Sequence, residues 1–116
     1  MQFSQQELDD LISQPGSPQL SGSDLSSAKL SGKHLVGADL SNANLSNAYL
    51  DGANLKNANL SGADLTGANL TNADMSGANL SGAKLFNARM TRANLKGADL
   101  TNTDLTGAEM TGVEES

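Results

Sequence analysis

Few residues in this sequence could do covalent chemistry. It contains no Cys, which excludes disulfides, thiolate catalysis and thiolate metal sites. His34 is the only His, and no partner residues are spaced to complete a ligand set with it, so it reads as a surface residue. Two S-x-x-K matches occur, Ser26-Ser27-Ala28-Lys29 and Ser81-Gly82-Ala83-Lys84. The further motifs that accompany this spacing in β-lactamases are missing. Asn-x-Ser/Thr triplets such as Asn69-Leu70-Thr71 recur along the chain. All these hits fall inside one repeating pattern that generates them automatically, so they carry almost no weight. The carboxylates recur with the same period, as a structural decoration does. The chain does not read as an enzyme, and no cofactor or metal is expected.

The charge needs dividing before it is used. The net charge is -6, but residues 1–19 contribute -3 through Glu7, Asp9 and Asp10, and residues 114–116 contribute -2 through Glu114 and Glu115. Residues 20–113 hold eight acids and seven bases. The acidity belongs to the ends, and the middle is nearly neutral. Aromatic residues make up only 3% of the chain. Scarce aromatics and overall acidity argue against direct nucleic-acid binding. No apolar run approaches a membrane span. The first ten residues, MQFSQQELDD, show no basic region followed by an apolar core. A cytoplasmic protein is the default expectation, with the periplasm or thylakoid lumen as the alternative if a signal was removed.

What positions these residues is a period of five. Leu or Met stands at every multiple of five from Leu20 to Met110, giving 19 consecutive repeats. Two places before these, 15 of the 19 residues are Ala, and two places after, 17 of the 19 are Gly or Asn. Five residues advance about 500° on an α-helix, which scatters the Leu positions around the axis. On a flat strand an odd spacing sends successive Leu side chains to opposite faces. The chain must therefore bend once per repeat. Ala and Leu, two apart on an extended piece, point the same way, and the Asp or Asn between them points outward. The Gly or Asn that follows tolerates the positive φ that a type II turn demands at its third residue. If the corners are near 90°, four repeats close one coil of 20 residues.

Copies such as Ala63-Asp64-Leu65-Thr66-Gly67 match Ala-(Asp/Asn)-Leu-X-X without adjustment, and the sequence resembles the pentapeptide repeat family over residues 18 to about 112. That resemblance implies an all-β solenoid: a right-handed quadrilateral β-helix, here of about five coils. The need to bend comes from the residues; the handedness and the four-fold closure come from the resemblance. The expected core includes Leu40, Leu45, Leu60, Leu65, Met75, Leu80 and Met90. Ala suits the positions where the walls converge, because larger residues would overpack there.

Three segments are expected: residues 1–19, a helix and linker that cap the first coil; 20–113, the β-helix; and 114–116, an acidic tail. Ser4 and Glu7 have capping-box spacing, Phe3 and Leu8 stand at hydrophobic-staple positions, and Leu8, Leu11 and Ile12 make one apolar face. A helix over about residues 5–13 follows, stopped by Pro15 and Gly16. Lys33 occupies an inward Ala position, where an unpaired ammonium is costly. It is expected to snorkel past the edge or to pair with Glu7, Asp9 or Asp10; a loose first coil is the alternative.

The function is expected where the pattern breaks. Lys84, Phe86, Arg89, Arg92 and Lys96 crowd into one coil, and Tyr49 stands in the same outward column as Arg89 and Glu109, which are expected to pair. These six residues form the candidate surface for an unidentified protein partner; a solvated basic belt is the simpler reading. The resemblance implies a non-catalytic interaction scaffold, of a type numerous in cyanobacteria. It also implies a homodimer through the C-terminal coil, since no cap follows Met110. The alternative the resemblance offers is a DNA mimic that binds or inhibits DNA gyrase. Such a mimic needs a dense anionic surface, because DNA carries a charge about every 1.7 Å. The nearly neutral repeats oppose it.

Overall fold

The computed structural model describes residues 2–115. Each repeat makes the same corner. The Leu25 carbonyl accepts a hydrogen bond from the Ala28 N–H at 3.0 Å, and the same link recurs in all 19 repeats, from Leu20–Ser23 to Met110–Val113. The third residue of every turn is left-handed, with φ between 57° and 73°, while the second is not, which makes these type II turns. Gly and Asn adopt this conformation at little cost. Ser27 and Arg92 adopt it at φ 58° and 60° without that licence.

Four corners close a coil. Residues 20 apart pair in parallel, in an unbroken ladder from Gln19–Asp39 to Asn94–Glu114. Within the ladder the Leu25 N–H donates to the Asn44 carbonyl at 2.7 Å, the Asn44 N–H to the Ser23 carbonyl at 2.9 Å, and the Ser27 N–H to the Ser46 carbonyl at 2.9 Å. A corner every five residues limits each extended piece to one bridging residue, so no long strand forms. The rod has four faces. Face I carries Leu20, Leu40, Leu60, Leu80 and Leu100, and face II the residues five later. Face III carries Leu30, Leu50, Leu70, Met90 and Met110; face IV carries Leu35, Leu55, Met75 and Leu95. The whole measures 33 × 22 × 21 Å.

The interior is a stack of Leu and Ala. Leu40, Leu45, Leu60, Leu65, Met75, Leu80 and Met90 are completely buried, and the Ala side chains from Ala28 to Ala93 are buried around them. No strand is long enough to be stable alone; each coil is held by the ladder and by the apolar disc of its neighbours.

The two ends differ. Helix α1 spans Gln5–Ile12, and Ser13 is its C-cap, so the helix stops one residue before the expected end. The capping box is formed: the Glu7 N–H donates to Ser4 Oγ, and the Ser4 N–H to the Glu7 carboxylate. Leu8 is fully buried among the core side chains, and Phe3, Leu11 and Ile12 pack around it half-buried. Two glutamines complete the underside of the first coil. On face III, Gln5 Nε2 donates to the Lys29 carbonyl at 2.9 Å and Gln5 Oε1 accepts the Lys29 N–H at 3.0 Å. That carboxamide stands where a peptide group of a preceding coil would be. On face II the Gln2 N–H donates to the Asp24 carbonyl at 2.8 Å, and Gln2 Oε1 accepts the Asp24 N–H at 3.1 Å.

Lys33, in its Ala slot, reaches past the edge of the coil to Asp9 at 3.4 Å, the middle one of the three expected partners. At the other end Leu100, Leu105, Met110 and Val113 are only partly buried. Glu114, which the break in the pattern suggested was tail, pairs with Asn94 and ends the ladder, because it is 20 residues beyond an outward position of face IV. Its carboxylate meets Lys96 at 3.2 Å. Ser116 of that tail, like Met1, lies outside the described residues.

Candidate partner-binding face

The outward residue between Ala and Leu does more than face water. In 12 of the 19 repeats it is an Asp or Asn whose Oδ1 accepts the N–H two residues later, at 3.0–3.2 Å. Where that later residue is Ser, or Thr71, the same oxygen also accepts its hydroxyl at 2.7 Å. This Asx turn satisfies the one amide that the corner turns outward, away from the ladder. The bonds favour the ionised acid. Hydrogen bonding by Ser26, Ser41, Thr66, Ser76, Thr101 and Thr106 holds Asp24, Asp39, Asp64, Asp74, Asp99 and Asp104 below the usual carboxylate range. Lys84 adds to the effect on Asp64, and Lys56 to that on Asp74.

Seven repeats have no such oxygen in place: those at Gln19, Lys29, His34, Tyr49, Lys84, Arg89 and Glu109. They are not spread evenly. Four of the seven, Lys29, Tyr49, Arg89 and Glu109, form the outward column of face III, where only Asn69 keeps the Asx turn. Each other face has one. A shallow groove of about 460 Å³ runs along face III, between Asp51 and Glu109, with Thr71, Arg89 and Thr91 along its floor and wall. Tyr49, on the same column, is 49% exposed. At the corner beside it Arg92 donates from Nε to Asn72 Oδ1 at 3.0 Å, which anchors its stem along the groove.

The structure redistributes the expected belt. Lys84 and Phe86 lie on face II, Arg89 on face III, Arg92 at the corner of III and IV, and Lys96 on face IV. Lys84 and Lys96 are thus on opposite sides of the rod, because every fifth residue turns the chain by one corner. The six candidates do not make one surface; of them Arg89 lines the groove, Tyr49 shares its column, and Arg92 stands at the neighbouring corner, bonded to Asn72 of the lining. Phe86, 43% exposed, stands alone on face II. Arg89 and Glu109 are ladder neighbours, yet among the described residues their charged ends form no ion pair, each being exposed and held by nothing else. His34 is exposed on face IV. Among the described residues no three His, Asp or Glu side chains gather as metal ligands, and no helix is long and apolar enough to cross a membrane. The Asx turns, and the amides left open where they fail, were missed by sequence reasoning, although Asp/Asn followed two places later by Ser/Thr is their signal.

The model of the pentapeptide repeats family matches residues 19–57, 53–92 and 78–114, with eight copies. The chain belongs to the pentapeptide repeat family. A pentapeptide repeat protein of the Arabidopsis thaliana thylakoid lumen, solved by crystallography, is 40% identical over 81% of this chain and 66% of its own, with a TM-score of 0.79. One from Nostoc PCC 7120 is 30% identical over 96% of this chain and 94% of its own, with a TM-score of 0.54. The chain spans just under two thirds of the Arabidopsis protein's length. No curated protein shows significant similarity. With these relatives, the four-sided pentapeptide repeat coil described above is a right-handed quadrilateral β-helix. QnrB1, a plasmid-mediated fluoroquinolone resistance protein, is similar at 23% identity and a TM-score of 0.43, too distant to bear on function.

Proposed function

We propose that this pentapeptide repeat protein is a non-catalytic scaffold that engages a protein partner through face III. The observation that carries the reading is the concentration of failed Asx turns on that face. A repeat that serves only to fold has no reason to abandon its outward hydrogen bond four times in one column. The groove there also offers the Arg89 guanidinium, and the face carries an exposed Tyr49 on the same column, residue types enriched at protein interfaces. The mixed charges of the column, with Lys29, Arg89 and Glu109 interleaved, support a protein partner rather than mimicry of DNA.

The test is affinity capture from the native organism with paired variants. Tyr49→Ala with Arg89→Ala should remove the specific partner, while Asn59→Ala with Asn79→Ala on the opposite face should keep it. Retention by the face III variant refutes the reading.

The half-exposed Leu100, Leu105, Met110 and Val113 support a second element of the proposal, a homodimer through the C-terminal coil. A monomer in light scattering at high concentration refutes that element without touching face III. The Arabidopsis relative is a thylakoid lumen protein, so fractionation of the native organism decides between that compartment and the cytoplasm for this chain.

A further inference from the structure

The repeating architecture specifies where an oxygen belongs. In the Ser repeats and at Thr71, one side-chain oxygen sits 2.7 Å from a hydroxyl and 3.0–3.1 Å from the amide of the same residue. At Thr91 and Thr111 both donors are present and, among the described residues, neither the amide nor the hydroxyl has a partner. No other repeat combines the two: Ser21 and Ser31 direct their hydroxyls to the coil above, to Ser41 and Asp51, and Val36, Asp51 and Phe86 have no hydroxyl donor. Thr91 and Thr111 lie one above the other, one coil apart, roughly 4.8 Å. Where the repeat at Thr91 would supply its own carboxyl oxygen it supplies the Arg89 guanidinium, which has no ion-pair partner within the described chain. The groove opens onto Thr91 and Arg89.

We infer that face III binds a carboxylate, carried by an Asp or Glu of an extended partner segment, which takes the position the missing Asx oxygen leaves open beside Thr91, paired with Arg89. The ligand oxygen accepts the Thr91 amide and hydroxyl, and its charge is matched by Arg89, with Arg92 at the neighbouring corner bonded to Asn72 of the groove. Charge-assisted hydrogen bonds of this kind are the strong ones. Glu109 opposes a second acid at the groove's upper end, so one carboxylate is bound and it sits at Thr91. The carboxylate of Asp51, at the lower end, is already held by the Ser31 hydroxyl at 2.6 Å.

The inference rests on face III being the partner surface, and its test is separate. The full chain, isotopically labelled, is titrated with a blocked Gly-Asp-Gly-Asp-Gly peptide, with its Asn counterpart, and with inorganic phosphate, while the Thr91 amide is followed by NMR. The Asp peptide should move the Thr91 amide proton downfield, and the Asn peptide should bind at least tenfold more weakly. Arg89→Ala should weaken the Asp peptide about tenfold. Arg89→Asn restores an intrachain oxygen, so the Thr91 amide should already be shifted and stop responding. Glu109→Gln should tighten binding severalfold. A Thr91 amide that ignores the Asp peptide, responds equally in Arg89→Asn, or responds only to phosphate overturns the inference. If it is overturned while Tyr49→Ala still releases the native partner, the carboxylate is wrong and the face is right.

Discussion

Leu8 is the residue on which the N-terminal cap should stand or fall. It is the only fully buried side chain of α1 and sits among the Leu side chains of the first coil. Truncating a buried Leu to Ala costs about 2–5 kcal/mol where the surroundings do not collapse. Here the cost has a ceiling. Besides Leu8, the N-terminal segment is tied to the rod by the packing of Phe3, Leu11 and Ile12, the two Gln5 contacts with Lys29 and the half-exposed Lys33–Asp9 pair, the last contributing about 1 kcal/mol or less. When the loss exceeds what docking provides, the helix detaches and the rod remains. Leu8→Ala should therefore raise the population of undocked α1 without unfolding the coils. The amides report this directly, because the Lys29 N–H donates to Gln5 and the Tyr49 N–H donates to Ala28 inside the rod. A loss of about 2 kcal/mol corresponds to about 30-fold faster exchange at Lys29. Tyr49 and the amides above it should keep their protection. If Lys29 exchange is unchanged, the docking of α1 does not depend on Leu8. If Lys29 and Tyr49 accelerate together, the cap and rod form one cooperative unit and the ceiling does not exist.

Further expectations concern the rod itself. Leu65→Ala, at a fully buried mid-rod position, should destabilise by about 2–5 kcal/mol in denaturant unfolding, with the loss felt by coils on both sides. Asn69→Ala deletes the only Asx acceptor of face III; with two partly exposed hydrogen bonds lost, about 1 kcal/mol is expected from thermal denaturation. Gly67→Val places a β-branched residue at φ 70° against Asn47, and should lower the melting temperature more than Gly32→Val, where nothing lies nearby. The folded-state acidities of Asp24, Asp39, Asp64, Asp74, Asp99 and Asp104 are all displaced below the ordinary Asp value of 3.8. The stability they contribute is complete above that value and is lost as pH falls through the lowered ones. The melting temperature should hold down to about pH 5 and decline below pH 4. A decline that begins near neutrality contradicts the Asx assignment.

The period alone carried the fold a long way, and the reason is redundancy. Nineteen copies, with few exceptions, state the same three facts: an apolar pair facing one way, a polar residue facing the other, and a residue that accepts positive φ. A type II corner satisfies all three. The cap was legible for a similar reason, since Ser4, Glu7, Phe3 and Leu8 form a known local pattern. Gln2 and Gln5 were not legible. A Gln side chain that replaces a peptide group is recognisable only when the coil edge it meets is in view. The belt was misjudged through a different fault, neighbourhood along the chain being taken for neighbourhood in space. Between Lys84 and Lys96 the chain turns two corners, so residues that crowd the text are distributed around the rod. The column at steps of 20, Lys29 through Glu109, was the sounder guide, because the ladder is what sets adjacency.

A solenoid of this kind separates folding from recognition unusually well. The core slots are mostly filled by Leu, Met and Ala and admit little variation, and the corner slots favour Gly or Asn, with Ser27 and Arg92 as the exceptions. The outward slot, like the slot after the central Leu, can change its residue without disturbing the ladder. Its default occupant is nevertheless not idle, since Asp or Asn there closes the local hydrogen bonding of the turn. Replacing it therefore has two coupled consequences: a new side chain is displayed, and a backbone amide is left without its acceptor. The first can be tolerated anywhere on a solvated surface, and water can satisfy the second at an isolated site. On face III both consequences recur along one column, with donors exposed on adjacent coils and an Arg in the slot that would normally supply the acceptor. Such a face is incompletely satisfied by its own chain, and any ligand that supplies the missing oxygen binds to a site the fold has already ordered. The rigidity of the rod then adds to affinity, because the backbone amide loses no conformational freedom when the ligand arrives, and only the Arg89 side chain and the Thr91 hydroxyl have to be ordered.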